Sequence, residues 1–319
     1  MNRALHREEA RRAMAMILDG VASPLQISAY LMLLRRNGET AEELAGMVEA
    51  MRAHLPPVRR LAVDLDWPSY AEPHNQQPWF LLAALALAQG GVRVLMHGRP
   101  SDAEQPTLTR AALSLLGIEP MAGLAEAKSA LGDHGFAYVG LETLLPEFHR
   151  LFAYRQQLGV RTCVNTLARA LNPGSARAQL IGVAHPAYQR LHQDLLCLLD
   201  QPAAAILKGG GGEFQRNPLK VYEVGAVEAG TAVAHQWAPS AGLDAFDWRG
   251  EELDARRVAD LWVGSFDHPA AEAAIVATMA VALRTLGRAS SVVDAEALAN
   301  QIWHGRLNGG KQTKAARRA

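Results

Sequence analysis

From residue 61 onward, short apolar runs that read as strands alternate with longer runs that read as helices. This alternation restricts the fold more than any single motif does. "LAVDLDW" (61–67) reads as a strand and "PWFLLAALALAQGG" (78–91) as a buried helix closed by a glycine pair. "VRVLMHG" (92–98) is a strand and turn, "PTLTRAALSLLG" (106–117) a helix and "GFAYVGL" (135–141) a strand. "AQLIGVA" (178–184) and "AAAILKG" (203–209) are strands on either side of the helix "PAYQRLHQDLLCLLD" (186–200), and "HPAAEAAIVATMAVALRTLG" (268–287) is a long apolar helix. Such alternation predicts an α/β domain around a central, mostly parallel sheet. Sheets of this kind bind ligands where strands end in glycine-rich turns.

The first sixty residues follow a different rule. "HREEARRAMAMILDG" has helical spacing and ends on Gly20. Ser23 precedes Pro24, an N-cap followed by proline at the first helical position. Thr40 and Glu43 form a capping box for a third helix that runs to about His54, and "LPPVRR" breaks it. The expected layout is a small N-terminal helical domain over 1–62, with a helical contribution from about 146–170. An α/β domain follows over 63–308, then a basic, unstructured tail over 309–319. No apolar run is long enough to span a bilayer, and the N-terminus lacks a signal-peptide core. Cys163 and Cys197 make no disulfide framework. A cytoplasmic protein with two reduced thiols is the expectation.

The 319 residues carry no net charge, yet the charges are sorted. Between Phe148 and Gln193 stand six arginines (Arg150, Arg155, Arg161, Arg169, Arg177, Arg190) and no acid. Between Glu223 and Glu272 stand ten acids against three arginines. Sorted charge presents one positive face if the arginines gather, and none if they scatter and pair with distant acids. In "ILKGGGGEFQRNPLKVYEV" (206–224), four glycines lie near Lys208, Arg216 and Lys220. Bare backbone beside cations suits phosphate. A tight turn that uses glycine for positive φ is the competing explanation.

"EEARRAMAMILDGVASPLQISAYLMLLRRNGETAEELAGMVEAMR" resembles the N-terminal helical domain of the glycosyltransferase family 3 proteins, which include anthranilate phosphoribosyltransferase. "GVRVLMHG" is similar to the strand and His-Gly turn of that family, and "RQQLGVRTCVNTLARALNP" to the segment that closes its aromatic-substrate pocket. The matches follow family order across nearly the whole chain. The resemblance implies a phosphate-binding place at His97 and Gly98; beyond them the chain departs from the family, and Arg99, Ser101 and Thr107 are anion-binding candidates by residue type. The resemblance matches Arg155 to a substrate-carboxylate arginine, and Asn165 and Pro173 keep their places.

Three departures bear on function. Where the family carries a loop of the type "GTGGD", this chain has Asp66, Trp67 and Pro68. The turn after His97-Gly98 reads "RPSDAEQP". Where the family carries paired magnesium acids, only Glu213 remains, a weak metal candidate, so no metal is expected unless the chain is an active transferase. The strings "DWPSY" and "KGGGGEFQRNP" resemble the YbiB-like branch. That branch implies a homodimer through the N-terminal helices that binds single-stranded DNA or RNA without sequence preference.

On that reading, Lys208, Arg216, Lys220, Arg155, Arg161, Arg169 and Arg177 would contact nucleic acid. Gly209, Gly210, Gly211 and Gly212 would face phosphate, and Trp67 and Tyr70 would stack on bases. Trp79 reads as core. No catalytic residue is assigned. The alternative is a phosphoribosyltransferase with an altered donor or acceptor.

Overall fold

The computed structural model describes residues 3–58, 61–71, 76–100, 107–240 and 242–316, with side chains to Leu307 in the last helix. Three helices open the chain: α1 (Arg7–Leu18), α2 (Pro24–Asn37) and α3 (Ala41–Ala53). Their starts follow the capping logic of the sequence. Ser23 Oγ accepts from the Gln26 amide, and Pro24 takes the first helical position. Thr40 and Glu43 exchange side-chain bonds with each other's backbone. Glu43 has a second use, accepting from the Leu5 amide at 2.9 Å, which ties the N-terminal strand of chain onto α3.

The α/β region runs β1 (Leu65–Ser69), α4 (Trp79–Gln89), β2 (Val94–Gly98), α5 (Leu108–Leu115), α6 (Leu124–His134) and β3 (Phe136–Gly140). A string of short helical turns follows: α7 (Leu141–Leu144), α8 (Pro146–His149), a 3-10 turn at Arg150–Ala153, α9 (Tyr154–Leu158) and α10 (Val164–Arg169). This string packs back on α1–α3 in one core that contains Met14, Leu31, Met47, Phe148 and Leu167. The chain continues through β4 (Ala178–Val183), α11 (Ala187–Leu198), β5 (Ala203–Lys208), β6 (Tyr222–Glu228), β7 (Thr231–Trp237), α12 (Ala255–Val263), α13 (Pro269–Thr285) and α14 (Val292–Ala316).

The sheet has seven strands in the order β3-β2-β1-β4-β5-β6-β7. β1 to β5 are parallel, and β6 and β7 add an antiparallel edge. Parallel strands need both faces covered. α4 and α13 cover one face, with Trp67, Phe80, Phe214 and Ile275 in a common core. The helical unit covers β1–β3 on the other face. Ala229 and Gly230 both take positive φ between β6 and β7, as a two-residue hairpin turn requires.

Several expectations need correction. The strand expected over 61–67 is shifted into "DWPSY", because β1 runs over Leu65–Ser69. Its pairing to β4 stops at Asp66↔Gln179, so Pro68 costs no ladder bond on that side. Trp67 is fully buried, edge-on to Phe214 at 5.9 Å, and Tyr70 is 2% exposed, so neither stacks on a base. Trp79 is core, as its apolar helix implied. The backbone of α14 continues to Ala316, into the segment expected to be an unstructured tail.

Arg216 is not a surface cation. It is fully buried, donates to Glu296 at 3.0 Å and to the Ala238 carbonyl, and lies 5.0 Å over the Trp237 ring. Its amide donates to Thr278 Oγ1 at 3.0 Å, so one residue ties the end of β7 to α13 and α14. Arg216→Ala keeps the amide bond but removes the guanidinium contacts and leaves a cavity, and it should lower the urea unfolding free energy by about 3 kcal/mol. Lys208→Glu, at an exposed position, should stay within about 0.5 kcal/mol of the parent in the same titration.

Candidate functional site

At the carboxyl ends of β1 and β4 lies a cavity of about 160 Å3. Ends of this kind are where open α/β sheets hold ligands. Tyr70 and Ala71 enter it from the end of β1, and Val183, Ala184 and His185 from the end of β4. α9 and α10 supply Arg155, Asn165 and Arg169, with Arg161 between them. Arg35 comes from α2, and Tyr188 and His192 come from α11. Among the described residues, no carboxylate lines this cavity.

The acid-free arginine block therefore divides. Arg155, Arg161 and Arg169 meet in the cavity. Arg150 pairs with Glu147 and Arg190 with Asp194, both acids just outside the block. Arg177 lies before β4, at the opposite end of the sheet, and does not join them. Lys208 ends β5 and Lys220 precedes β6, so both are exposed at the cavity's end of the sheet.

Burial works against the charge on Arg169 and pulls its pKa down. Glu213 offsets this and Arg161 adds to it. Two guanidiniums that repel across a cavity favour an anion between them. His192 is 1% exposed, and its Nδ1 has no hydrogen-bond partner among the described residues. Burial, and secondarily Arg169, push its pKa down to about 3. The imidazole is neutral near pH 7 and offers one donor and one acceptor.

Beneath the cavity runs a buried polar chain. Tyr70 Oη lies 2.7 Å from His97 Nδ1, and His97 Nε2 lies 3.2 Å from Asp66 Oδ1. Gln179 Nε2 donates to Asp66 Oδ2 at 2.8 Å and to the Arg169 carbonyl at 2.9 Å. Burial holds the Tyr70 phenol far above its ordinary value, so it keeps its proton. Arg99 is 3% exposed and stacks 4.4 Å from the Phe152 centroid. Gly98 is needed where it stands, because a Cβ there would meet the Ser69 carbonyl at 2.6 Å. Thr107 caps α5 by accepting from the Arg110 amide. Ser101 lies outside the described residues.

The glycine stretch forms a tight turn. A Cβ on Gly209 would lie 1.5 Å from the Glu213 carbonyl oxygen, and one on Gly210 would lie 1.8 Å from Gln76 Oε1. Gly211 and Gly212 take φ of 65° and 99°. The path of the loop accounts for Gly209, Gly211 and Gly212, while Gly210 is opposed only by the end of the Gln76 side chain. Glu213 is buried and accepts from Ser69 Oγ at 3.1 Å and from the Ala71 amide at 2.8 Å. The residues do not fit a magnesium pair: this carboxylate is committed to β1, and among the described residues no cluster of three His, Cys, Asp or Glu forms.

Comparison with known proteins fits this architecture. Residues 2–55 match the model of the glycosyl transferase family helical bundle domain, and residues 80–305 match that of its a/b domain. The chain belongs to glycosyltransferase family 3. It is 30% identical over 313 residues to the anthranilate phosphoribosyltransferase of Rhizobium meliloti, covering 93% of this chain and 89% of that one. It is 28% identical over 313 residues to the uncharacterized protein YbiB of Escherichia coli, covering 94% and 95%. The crystal structure of anthranilate phosphoribosyltransferase from Thermus thermophilus superposes with a TM-score of 0.80 at 25% identity, covering 96% and 92% of the two chains.

Within this family scaffold, Arg155 and Asn165 line the cavity, while Pro173 sits in a buried turn before β4. Sequence reasoning did not single out Arg35, Gln179, Tyr188 or His192. A glutamine inside the apolar strand "AQLIGV" was the available signal for Gln179. His192 lies on the buried face of the amphipathic α11, and its i, i+3, i+4 spacing to Leu195 and Leu196 was the available signal.

The buried His192 has a consequence for acid stability. Its folded pKa is depressed, so the unfolded chain binds the extra proton below about pH 6.5, the ordinary histidine value. Stability from this group is complete above that pH and is lost as pH falls toward 3. His192→Gln should flatten the acid limb of stability against pH by up to about 1.4 kcal/mol per pH unit, measured by urea titrations between pH 4 and 7.

Proposed function

We propose that the cavity at the carboxyl ends binds an anionic small molecule, and that the chain is a pentosyltransferase with an altered donor or acceptor. The observation that carries this reading is the convergence of Arg35, Arg155, Arg161 and Arg169 without any lining carboxylate. Relatives named anthranilate phosphoribosyltransferase support the reaction class. At about 160 Å3 the space suits one compact acid rather than an acid together with its donor. In its chemistry, Arg155 and Arg161 would hold the carboxylate, His192 would orient a ring substituent, and the walls would exclude water.

The donor side differs in ways that support an altered donor. The Ala71 amide is consumed by Glu213, and Tyr70, His97 and Asp66 fill the space behind it. No step is assigned to a metal.

A second reading, a sequence-tolerant nucleic-acid binder, is favoured by one observation. Arg161, Lys208 and Lys220 are exposed at the same end of the sheet as the cavity. With Trp67 and Tyr70 buried, such binding would rest on phosphate contacts alone and would fall steeply with salt.

We also propose a homodimer through the N-terminal helices. Met16, Val21, Leu25, Met32 and Leu33 are exposed there, five of the twelve large exposed hydrophobics among the described residues. Clustered apolar exposure of this kind marks an association surface.

The transferase reading expects a thermal upshift with phosphoribosyl pyrophosphate or anthranilate, and loss of the anthranilate shift in Arg155→Gln/Arg161→Gln. No shift with either ligand, together with tight, salt-steep binding of a labelled single-stranded oligonucleotide by anisotropy, would select the second reading. Leu25→Glu/Leu33→Glu should convert the dimer to a monomer in light scattering. A parent that already elutes as a monomer overturns the dimer.

A further inference from the structure

The opposite end of the sheet holds a larger cavity that the site above does not use. It is a trough of about 630 Å3 between the amino ends of β4 and β5, the adjoining parts of β6 and β7, and the last turn of α13. Its floor is made of small side chains. Antiparallel register sets Ala205 against Ala226 and Ala203 against Glu228, and Ala178 of β4 stands beside them. Toward the other end of the same face, Leu180 and Leu207 fill the layer under the helices. Methyl groups replace those side chains here, so the last turn of α13 stands over open space. Trp237 closes one end, and its buried Nε1 has no hydrogen-bond partner among the described residues.

The rim is charged and unbalanced. Its acids are engaged: Asp64 receives Arg93 at 2.7 and 3.0 Å, and Glu228 receives His235 at 2.7 Å with Arg284 at 3.9 Å. Two of its cations form no ion pair among the described residues, although Arg288 stands within the field of Asp64. Arg288 donates to the Gly90 and Gly91 carbonyls at 3.3 and 2.9 Å, and Arg177 has no acidic partner among the described residues. An apolar floor below a cationic rim selects a molecule with an apolar body and an anionic head. The volume lies within the span of roughly 300–1,000 Å3 typical of small-molecule sites.

We propose that this trough is a second ligand site, for an amphipathic anion. A carboxylate or phosphate head sits at Arg177 and Arg288, and a flat or acyl body lies over Ala203, Ala205 and Ala226 toward Trp237. The site is independent of the arginine cavity, which lies beyond the other ends of the same strands.

The test uses the full chain and 8-anilino-1-naphthalenesulfonate, an aromatic body with an anionic head. Saturable fluorescence enhancement is expected, unchanged in Arg155→Gln/Arg161→Gln. Arg177→Gln/Arg288→Gln should weaken it about tenfold or more, because two charge-assisted contacts are lost. Ala203→Leu fills the floor and should abolish binding with the circular dichroism spectrum unchanged. If that variant does not fold, the charge variant still decides. Displacement by octanoate assigns a carboxylate head, and displacement by octyl phosphate assigns a phosphate head. The proposal is overturned by non-saturable binding, by displacement with neither compound, or by binding that responds to Arg155 and Arg161 but not to Arg177 and Arg288.

Discussion

Gly182 carries no side chain because the loop after β5 crosses it. A Cβ at that point would meet the Glu213 carbonyl carbon at 2.2 Å. This close crossing brings the Glu213 carboxylate to Ser69 and Ala71, and so fixes where β1 ends. Tyr70, held between those two residues, then reaches His97 and forms one wall of the arginine cavity. The cavity, the buried polar chain and the end of β1 all depend on a backbone contact that only glycine permits.

A neutral chain can place a few of its arginines inside. Arg52 braces α3 against the carbonyls of Ala170 and Leu171, Arg216 ties α13 and α14 to β7, and Arg306 lies 3.4 Å over Trp303. Guanidinium suits this work because it offers several donors in a plane and stacks on aromatic rings. Interior use of arginine also explains why charge blocks in the sequence map poorly onto charged faces. Of the six arginines between Phe148 and Gln193, those at either end pair with acids just outside the block. Only Arg155, Arg161 and Arg169 share a cavity.

The layered architecture could be read from periodicity and caps because those signals are local. Ser23-Pro24 and Thr40-Glu43 specify helix starts from side chains a few residues away. The alternation of strands and helices implied the parallel sheet. Sites depend on contacts distant in sequence, and there the reading failed in definite ways. Trp67 and Tyr70 stand in a stretch rich in polar residues and proline, yet β1 continues through it. Arg216 sits between a glycine loop and a lysine, yet its partner Glu296 is supplied by α14. The β6–β7 hairpin was missed because Ala229-Gly230 is not one of the usual turn pairs, although both residues adopt the required positive φ.

The position of β1 shapes the order of folding. It is the first strand made, yet it lies in the interior of the sheet, between β2 and β4. Leu65 finds one neighbour at Val94 but must wait for Ala178 to find the other. During synthesis, the three earliest strands therefore form a small sheet in which β1 is still an unpaired edge, a template for wrong partners. Closing that edge requires a long loop to be drawn in, a slow step set by topology rather than by any one residue. The N-terminal helical unit already covers one face of this early sheet. The small domain made first thus shields an incomplete sheet until β4 arrives.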